Sequence, residues 1–463
     1  MDKTLAELVA FAHNGLPGSF PDEVVGHAHQ RVVDTIGGAV GGLRAKVAGA
    51  SRAVVTPVAE GGVRVWGTRL SGSPEDAAFA NGVAVRYLDF NDTYRKLDGC
   101  HPSDNIPALL AAAEFSGANG HAFLRGVIAS YEVQSRFADC VPFNSMGWDQ
   151  PVAGVIGAAI GAATILGLTP DQIAHAISLA IVPNMAMHQT RCGELSEWKG
   201  CAGAMGGRQG LYAARLAAAG VEGPSQPFDG VNGVWAQVGK EYSLSGLGAH
   251  TWAIQQTNLK AWPVRDSCQL AVDTALDLRA QVRGAEISKL RIETYASAHK
   301  GAVADPELWA PRTRETADHS MLVSVALGLL EGGVWPRSFD DGRFLDGDVT
   351  GLIGRTEVDI VDEFDEQAPE VRNCRITANL ADGRQAVAHG ILTSADIERG
   401  KSRAATDQKF FELTEGSMST QGAQALNRTL WAVDSLEDVS VIGVALADAD
   451  QFSTTPADAK AAI

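Results

Sequence analysis

The chain has 463 residues, and its composition and charge exclude several classes of protein. Hydrophobic residues make up 45% and charged residues 20%, which is typical of a globular protein and excludes a disordered chain or a membrane bundle. The 38 basic and 55 acidic residues give a net charge of −17, and no dense run of Lys or Arg provides a face for nucleic acid. We therefore expect neither nucleic acid nor a membrane as a partner, whereas a local cationic pocket for an anionic small molecule remains open.

The first residues and the cysteines bear on location. The start Met1-Asp2-Lys3 is not a basic stretch followed by an apolar segment, and no apolar stretch reaches the roughly 18 uncharged residues that span a bilayer. The six cysteines form no CxxC pair and are expected to be reduced thiols. These features predict a cytoplasmic protein.

Start signals mark the predicted helices of the first half of the chain. A capping box at Thr4 to Glu7 predicts one helix, and Pro21 predicts the start of a second helix. Ser73 followed by Pro74 predicts a helix that ends near Asp89. The 50 glycines, many in Ala/Gly-rich runs, indicate closely packed helices. Further helices are expected at about 105–116, 120–139, 151–167, 170–182 and 199–220.

The pattern changes near residue 268. Alternation over Ile287 to Tyr295 predicts a strand, and Val371 to Leu380 followed by Arg384 to His389 predicts a hairpin. Between them, Glu315 to Leu330 has helical periodicity, and the tail from about 403 is predicted to be helical again. The sequence therefore predicts a mainly α protein, with a helical domain formed by residues 1–266 and 403–463 and an inserted α+β domain at 267–402.

The common cofactor and metal motifs are missing. Gly154 to Gly157 lies in an apolar run without GxGxxG, and Gly400-Lys401-Ser402 lacks the first, upstream glycine of a phosphate loop. Neither GxSxG nor HExxH occurs. His27 and His29 point in different directions on a helix, and the cysteines lack the spacing for an iron–sulfur cluster. We expect no cofactor and no metal ion.

The most informative segment runs from Leu88 to Asn105. Asp89 and Asp92 lie three residues apart at the expected end of a helix, which would place both carboxylates on one face. His101 and Ser103 follow at the start of the next helix, whose exposed N–H groups could hold an anion. Carboxylates and an imidazole supply proton acceptors and donors. The alternative is a water-exposed turn in which Ser103 is an ordinary N-cap.

Three cations occupy unusual positions. Lys199 begins an apolar Ala/Gly-rich run, where a cation is unfavourable unless it meets an anion, and a lysine that extends to solvent is the alternative. Lys260 and Arg265 flank Trp262-Pro263 at the predicted domain junction, and clefts between domains often bind ligands. A local ion pair between Arg265 and Asp266 is the alternative there.

Five motifs together resemble the MmgE/PrpD family, in order over most of the chain. They are Asp89 to Thr93, His101 to Asn105, Lys199 to Ala204, Lys260 to Pro263 and Asp318 to Ser320. That family contains 2-methylcitrate dehydratase, cis-aconitate decarboxylase and iminodisuccinate epimerase. The resemblance implies a large helical domain built from both chain ends, a smaller α+β lid domain, a homodimer, and cofactor-free chemistry on a di- or tricarboxylate.

The resemblance also implies an active site. Asp89, Thr93, His101, Lys199 and Lys260 match family active-site positions. The predicted catalytic residues are Asp89, His101 and Lys199, and the predicted substrate-binding residues are Asp92, Thr93, Ser103, Gln150, Lys260 and Arg265.

Three positions depart from the family pattern. Gln150 stands where the family commonly has His, and the lid His expected after Trp-Pro is absent, with Arg265 and Ser267 nearby. Val323 replaces an aromatic Tyr. These departures argue against a decarboxylase that needs the missing groups to protonate a carbanion. The His-Pro-Ser-Asp-Asn string is closer to the dehydratase branch.

The leading hypothesis is a lyase that removes water from a hydroxy-tricarboxylate such as 2-methylcitrate. The family reactions all build negative charge beside a carboxylate. Lys199, Lys260 and Arg265 could neutralise this charge while Asp89 or His101 moves the proton. The alternatives are an isomerase that epimerises an amino- or imino-dicarboxylate, a cis-aconitate decarboxylase-like lyase, and a carboxylate-binding protein whose active site has decayed.

Overall fold

The protein is mainly helical in a computed structural model that describes residues 1–242, 244, 246–248, 251–447 and 449. None of the helices in that part of the chain combines the length and hydropathy of a membrane span. The helices before residue 266 are α1 Lys3–Ala10, α2 Asp22–Gly42, α3 Lys46–Ala53, α4 Pro74–Tyr87, α5 Ile106–Ser116, α6 Gly120–Cys140, α7 Pro151–Ile165, α8 Pro170–Ile181, α9 Trp198–Ala218 and α10 Val234–Val238. The later helices are α11 Asp266–Val282, α12 Ala296–Ala302, α13 Arg314–Ala317, α14 Met321–Glu331, α15 Pro336–Asp340, α16 Gly347–Ile353, α17 Asp362–Gln367, α18 Ser394–Arg399, α19 Arg403–Thr414, α20 Thr420–Leu430 and α21 Ser440–Leu446.

The strands form two small hairpins and one larger sheet. The hairpins are β1 Val63–Arg64 with β2 Ser71–Gly72, and β3 Tyr94–Arg95 with β4 Gly99–Cys100. The sheet consists of β5 Ile287–Thr294, β6 Thr356–Ile360, β7 Val371–Leu380 and β8 Gln385–Thr393, in the order β6-β5-β7-β8. Strand β5 is parallel to β6 and antiparallel to β7, and β7 and β8 form the predicted hairpin. Helix α11 packs on β7 and β8, and α14 packs on α11.

Side-chain caps decide where several helices begin. Ser73 and Thr169 cap α4 and α8, and Thr169 forms a complete capping box. The predicted capping box at Thr4 to Glu7 is wrong. Instead, the carboxylate of Asp2 accepts a hydrogen bond from the N–H of Leu5 at 2.8 Å, and α1 begins before Thr4. An ionised carboxylate is the stronger acceptor, which favours the earlier start.

The segment from Glu315 to Leu330, which its periodicity predicts to be helical, forms two helices, α13 and α14, with a break between them. Ser320 is the N-cap of α14, and its hydroxyl accepts a hydrogen bond from the N–H of Val323 at 3.2 Å. The carbonyl of Asp318 accepts a hydrogen bond from the N–H of Arg265 at 2.9 Å, which is not part of the hydrogen-bond pattern of a helix. The break leaves Asp318 and its neighbours between α13 and α14, free of helical periodicity.

Buried apolar side chains of the described residues form two large cores and one small cluster of Leu88, Phe90 and Leu413. The first includes residues from Leu5 to Ile254 and from Phe410 to Ala449, so both ends of the described chain contribute to it. The second includes residues from Val264 to Ala388 and covers the four-stranded sheet. The domain boundaries at 266 and 402 and the role of the second unit as a lid remain predictions.

The Gly/Ala-rich faces of α7 and α9 pack against each other inside the chain. A Cβ added at Gly210 would lie 2.5 Å from the Cβ of Ala158, and one added at Gly206 would lie 3.2 Å from Pro151. A distance of 2.5 Å leaves no space for a Cβ, and one of 3.2 Å is tighter than most contacts of real Cβ atoms. At Gly206 and Gly210, the small residues therefore serve contact between these two helices of one chain.

Lys409, on the returning helix α19, connects the two chain segments that lead into the candidate site. Its ammonium donates to the carbonyls of Phe90 at 2.7 Å and Lys260 at 3.0 Å. It also lies 2.7 Å from Oδ1 of the buried Asp34. Burial lowers the pKa of Lys409, whereas the charge of Asp34 raises it. One ammonium therefore connects α2, α19 and both site segments.

We predict that Lys409→Met lowers the free energy of unfolding by about 3–5 kcal/mol, because it leaves the Asp34 carboxylate buried and unpaired. Urea unfolding followed by circular dichroism measures this change. The double variant Asp34→Asn/Lys409→Met should recover part of the loss, since the remaining group is then neutral. Lys300→Met, at an exposed position, is the control and should stay within about 0.5 kcal/mol of the wild type. An equal effect of Lys300→Met and Lys409→Met would contradict the linking role.

Candidate active site

Three chain segments meet where the two cores adjoin. Helix α4 ends two residues before Asp89, whose φ of +49° lies in the left-handed region that Asp and Asn tolerate better than most residues. Thr93 and Asn258 exchange two backbone hydrogen bonds of 2.9 and 2.8 Å, which brings Lys260 to Asp89. The β3–β4 hairpin then returns the chain so that His101 lies beside the same segment.

Asp92 does not share a helix face with Asp89, because α4 ends before both residues. Asp92 is fully buried, and its Oδ1 accepts hydrogen bonds from the hydroxyl of Ser103 at 2.5 Å and from the N–H of Ser103 at 3.2 Å. The Nε of Arg31 lies 4.0 Å from its other oxygen. At Ser103, the predicted anion-binding N–H therefore already binds a carboxylate of the chain, and the water-exposed turn is also wrong.

Asp89 is the centre of a buried ion cluster. The ammonium of Lys260 donates to Oδ1 of Asp89 at 2.7 Å and to its carbonyl at 2.8 Å. Arg86 pairs with the same Oδ1, and Nζ of Lys199 lies 3.9 Å from Oδ2. Burial raises the pKa of Asp89, but the charges of Arg86, Lys260 and Lys199 outweigh burial and hold that pKa well below its usual range.

Lys199 is a buried cation that already has an anion. It is 1% exposed, and its Nζ lies 2.8 and 2.7 Å from the two carboxylate oxygens of Asp318, so a lysine that extends to solvent is excluded. Nη1 of Arg314 donates to the same carboxylate at 3.0 Å. Burial lowers the pKa of Lys199, while Asp318 and Asp89 raise it. Burial likewise lowers the pKa of Lys260, to about 8.

A cavity between the two cores opens beside Asp89. Its basic lining residues are Arg86, Arg95, Arg191, Lys260 and Arg265, its acidic ones are Asp89, Asp149 and Asp266, and its histidines are His101, His188 and His319. Five basic and three acidic groups give a net charge of +2 when the histidines are neutral. Such a lining favours an anion with more than one negative charge.

Arg265 is the cation most available to a ligand in this cavity. The proposed ion pair between Arg265 and Asp266 is wrong, because Asp266 pairs with Arg95 at 3.1 Å and with Arg372 at 3.0 Å. Among the described residues, no hydrogen-bond acceptor or carboxylate partners the Arg265 guanidinium. Burial and the charge of Arg95 lower the pKa of Arg265, which an incoming carboxylate would reverse.

His101 is held at both ring nitrogens. Its Nε2 lies 3.0 Å from Nη2 of Arg86, and its Nδ1 lies 2.7 Å from the carbonyl of Asp92 and 3.2 Å from the hydroxyl of Thr93. Burial and the charge of Arg86 lower the pKa of His101 well below its usual range, so the ring is neutral at neutral pH. The neighbours of His101 thus fix its orientation firmly.

The three positions that depart from the family pattern have different surroundings. Gln150 lines the cavity, where its Nε2 donates to Asp104 at 3.0 Å and its Oε1 accepts from the N–H of His101 at 3.4 Å. The hydroxyl of Ser267 is buried without a hydrogen-bond partner. Val323 is fully buried in the second core. Only Gln150 of the three is in the cavity lining.

The structure places the predicted site residues in two layers. The cavity lining includes Asp89, His101, Gln150, Lys260 and Arg265. Four predicted residues lie behind this lining. Lys199 binds the carboxylate of Asp318, and the other three contact His101 or its loop: Asp92, Thr93 and Ser103.

Several lining residues were not predicted from the sequence. Arg86 lies three residues before Asp89, and His319 lies in a motif already noted for its resemblance, so both had a signal. No sequence signal pointed to His188 or Arg191. They reach the cavity because their loop pairs with the segment before α7, where the N–H of His188 donates to the carbonyl of Gly147 at 2.8 Å.

Asp89, Asp318 and His319 are close enough together to hold a metal ion. Their surroundings do not fit a divalent cation, because the ammonium of Lys199 already binds both oxygens of Asp318 and the ammonium of Lys260 binds Oδ1 of Asp89. A metal ion would have to displace these cations and stay beside them, which like-charge repulsion opposes. These residues are therefore better suited to an internal ion cluster than to a metal site.

The fold and the cavity define a mainly helical enzyme with acid and base groups in a buried, cationic cleft. A family model described as the MmgE/PrpD N-terminal domain matches residues 6–246, and one described as the MmgE/PrpD C-terminal domain matches residues 262–434. The chain belongs to the MmgE/PrpD family, and it is an enzyme of the lyase class.

Curated relatives cover most of the chain. A 2-methylcitrate dehydratase of Escherichia coli is 29% identical over 77% of this chain and 78% of its own length. A 2-methylcitrate dehydratase of Salmonella typhimurium is 28% identical over 68% of this chain and 69% of its own. A human cis-aconitate decarboxylase is 24% identical over 96% of this chain and 94% of its own.

The ion cluster predicts how Asp89 contributes to stability at different pH values. Because the pKa of Asp89 is lower in the folded than in the unfolded protein, its stabilisation is present above the unfolded pKa of about 4 and is lost as pH falls toward the folded value. Asp89→Asn keeps the side-chain shape and suits the left-handed backbone. It should lower the free energy of unfolding by about 3–5 kcal/mol at neutral pH.

Urea unfolding of both proteins at several pH values checks this prediction. The difference between wild type and Asp89→Asn should be constant above a pH of about 5 and shrink toward a pH of about 2. Asp277→Asn, at an exposed position on α11, is the control and should differ little from wild type throughout. Parallel curves for wild type and Asp89→Asn would show that the carboxylate charge is not what stabilises the cluster.

Proposed function

We propose that this protein is a cofactor-free lyase that removes water from a hydroxy-tricarboxylate such as 2-methylcitrate. The observation that carries the proposal is the cationic cavity, in which Arg265 has no anionic partner among the described residues and Asp89, His101 and Lys260 lie close by. The names of the bacterial relatives support the same reaction.

The cavity residues suit elimination of water beside a carboxylate. Arg265 and Arg191 bind the substrate carboxylates, and the negative charge that forms next to a carboxylate is stabilised by Lys260 and Arg86. Asp89 keeps Lys260 and Arg86 in place, and its charge raises the pKa of both. Lys199 belongs to the same ion cluster. Positioned acid and base groups contribute about 10²–10⁴-fold to such a reaction, so charge stabilisation supplies much of the remainder.

The second core supplies a lid in this proposal. His101 and Gln150 belong to the chain that builds the first core, whereas Arg265, Asp266 and His319 belong to the chain that builds the second. A substrate that binds both groups would draw the two parts together and exclude water from the cleft. The link from Arg95 to Asp266, at 3.1 Å, is one contact that would change when the cleft opens.

The test uses chelator-treated protein with 2-methylcitrate and with citrate. Formation of an unsaturated acid should raise the absorbance at about 240 nm. Added metal should not be required, because the elimination is acid–base chemistry. An absence of product from both acids, with the protein folded by circular dichroism, would overturn the proposal.

Arg265 gives a specific prediction. Arg265→Met should raise KM by about ten-fold or more, since a charge-assisted hydrogen bond contributes about 1.5–3 kcal/mol. Steady-state kinetics with 2-methylcitrate measures the effect. Arg384→Met, in the exposed turn between β7 and β8, is the matched control and should leave kinetics unchanged. A wild-type KM for Arg265→Met would exclude the guanidinium from substrate binding.

A second candidate is an isomerase that epimerises an amino- or imino-dicarboxylate. Gln150 favours it, because an amide lines the cavity where the resemblance predicts an imidazole, and the lid imidazole expected near Arg265 and Ser267 is absent. Exchange of a substrate carbon-bound hydrogen for solvent deuterium, without net elimination, would identify this activity. Citrate-induced thermal stabilisation without turnover or exchange would indicate a carboxylate-binding protein instead.

We also propose a homodimer that acts in the cytoplasm. With the Gly/Ala-rich faces used inside the chain, the exposed apolar side chains Val182, Met187, Trp198 and Tyr212 offer the contact surface. Light scattering should give twice the chain mass, and Trp198→Glu should reduce it to one chain. A monomeric wild type would reject the dimer.

A further inference from the structure

Two of the histidines that line the cavity, His101 and His319, differ in which ring nitrogen is free. For His101, the guanidinium of Arg86 can only donate, so Nε2 must accept at 3.0 Å. Nδ1 then carries the proton and donates to the carbonyl of Asp92 at 2.7 Å. Both nitrogens of His101 are thus occupied, and the ring cannot accept a proton from a substrate unless Arg86 moves away.

His319 has the opposite arrangement. Its Nδ1 lies 2.6 Å from Oδ1 of Asp318, and a carboxylate accepts, so Nδ1 carries the proton. Nε2 therefore has a lone pair, and no described residue forms a hydrogen bond with it. His319 is 4% exposed and lines the cavity, so this lone pair is sheltered from bulk water yet available to a ligand there.

The carboxylate that orients His319 is itself firmly held. Both oxygens of Asp318 accept hydrogen bonds from Lys199, and Arg314 binds Oδ2 at 3.0 Å. Arg314 also donates to the carbonyl of Tyr87 at 3.0 Å, which connects this group to the end of α4. A histidine ring fixed by a buried carboxylate on one nitrogen is the arrangement that general bases commonly use.

We propose that His319 is the catalytic base of the cleft, positioned by Asp318. This inference rests on the proposed dehydration. Nε2 of His319 takes the proton from the carbon beside a substrate carboxylate, and the electron pair of the C–H bond forms the double bond. The C–O bond breaks with its electron pair on the hydroxyl, which takes a proton from the ammonium of Lys260 and leaves as water. Proton exchange with solvent restores both residues.

Lys260 is suited to the donor role. Two of its N–H groups bind Oδ1 and the carbonyl of Asp89, and no described acceptor binds the third. Burial lowers the pKa of Lys260 to about 8, which makes its ammonium a better proton donor than an exposed lysine. Burial and the charge of Lys199 lower the pKa of His319 to about 3, so the free enzyme holds the ring neutral, with its lone pair present.

Substrate binding brings the strength of this base into a useful range. The charged groups that act on His319 are Lys199 on α9, Asp89 after α4 and the adjacent Asp318. A di- or tricarboxylate adds negative charge to a lining of net charge +2, and negative charge raises the pKa of a histidine. The base is therefore weak in the empty cleft and stronger beside its substrate.

The experiment compares His319→Gln, His101→Gln and the exposed-site control His121→Gln. His319→Gln should lower kcat by about 10²–10⁴-fold, with citrate affinity in calorimetry within about three-fold of wild type. It should also abolish exchange of the substrate proton with solvent deuterium. His101→Gln should retain this exchange, and His121→Gln should match wild type. Wild-type turnover or exchange in His319→Gln would overturn the proposal, while the dehydration itself would stand.

A second measurement does not depend on turnover. Nitrogen-15 NMR of the citrate-bound wild type should show His319 with its proton on Nδ1 and an unprotonated or newly protonated Nε2. The signal is assigned by its absence in His319→Gln. A ring that carries its proton on Nε2 alone would overturn the role of His319. A wild type that dehydrates no tested acid would instead overturn the proposed function, and the base with it.

Discussion

The carboxylate of Asp89 is shared by three buried cations, and the site is arranged around that contact. Lys260 and Arg86 pair with it directly, and Lys199 lies 3.9 Å away on its other side. These cations come from α4, α9 and the segment before α11, so one anion connects parts of the chain that are more than 170 residues apart. Uncompensated, such charges would be strongly unfavourable in the interior.

The cluster also explains why the cavity is cationic although the chain is acidic. Within the cluster, each carboxylate is used to neutralise cations that the fold has already buried. Asp89 and Asp318 hold the two lysines, and Asp266 holds Arg95 and Arg372. Among the described arginines that line the cavity, Arg265 is the one without a carboxylate partner. The net charge of −17 lies on other surfaces and does not determine the field inside the cleft.

Close helix packing makes this arrangement rigid. Gly203 allows α9 to approach the carboxylate of Asp104 so closely that a Cβ would lie 2.0 Å from its oxygen. Asp104 in turn binds Gln150 and Asn91, and Asn91 binds Ser103. The small residues of α9 thus position a polar network behind His101 as well as forming an apolar core. A network in which each member is hydrogen-bonded keeps one geometry, because each alternative rotamer leaves a buried group unpaired.

The sequence alone determined the helical class, most helix positions and the strands β5, β7 and β8. These features depend on local information, such as the Ser73 and Thr169 caps and the alternation of apolar residues. The motif from Asp89 to Asn105 likewise identified the region of the site, since its polar residues are concentrated in one short stretch. The family could be recognised for the same reason.

Only the tertiary structure decided which side chains meet and which nitrogen or oxygen of each remains free. Asp89 and Asp92 look equivalent in the sequence, yet the left-handed turn at Asp89 sends one to the cavity and the other behind it. His319 lies in a stretch with helical periodicity, and only the cap at Ser320 and the contact with Arg265 break the helix there. Pairing between residues far apart in the chain depends on how the two cores pack, and local periodicity carries no information about that packing.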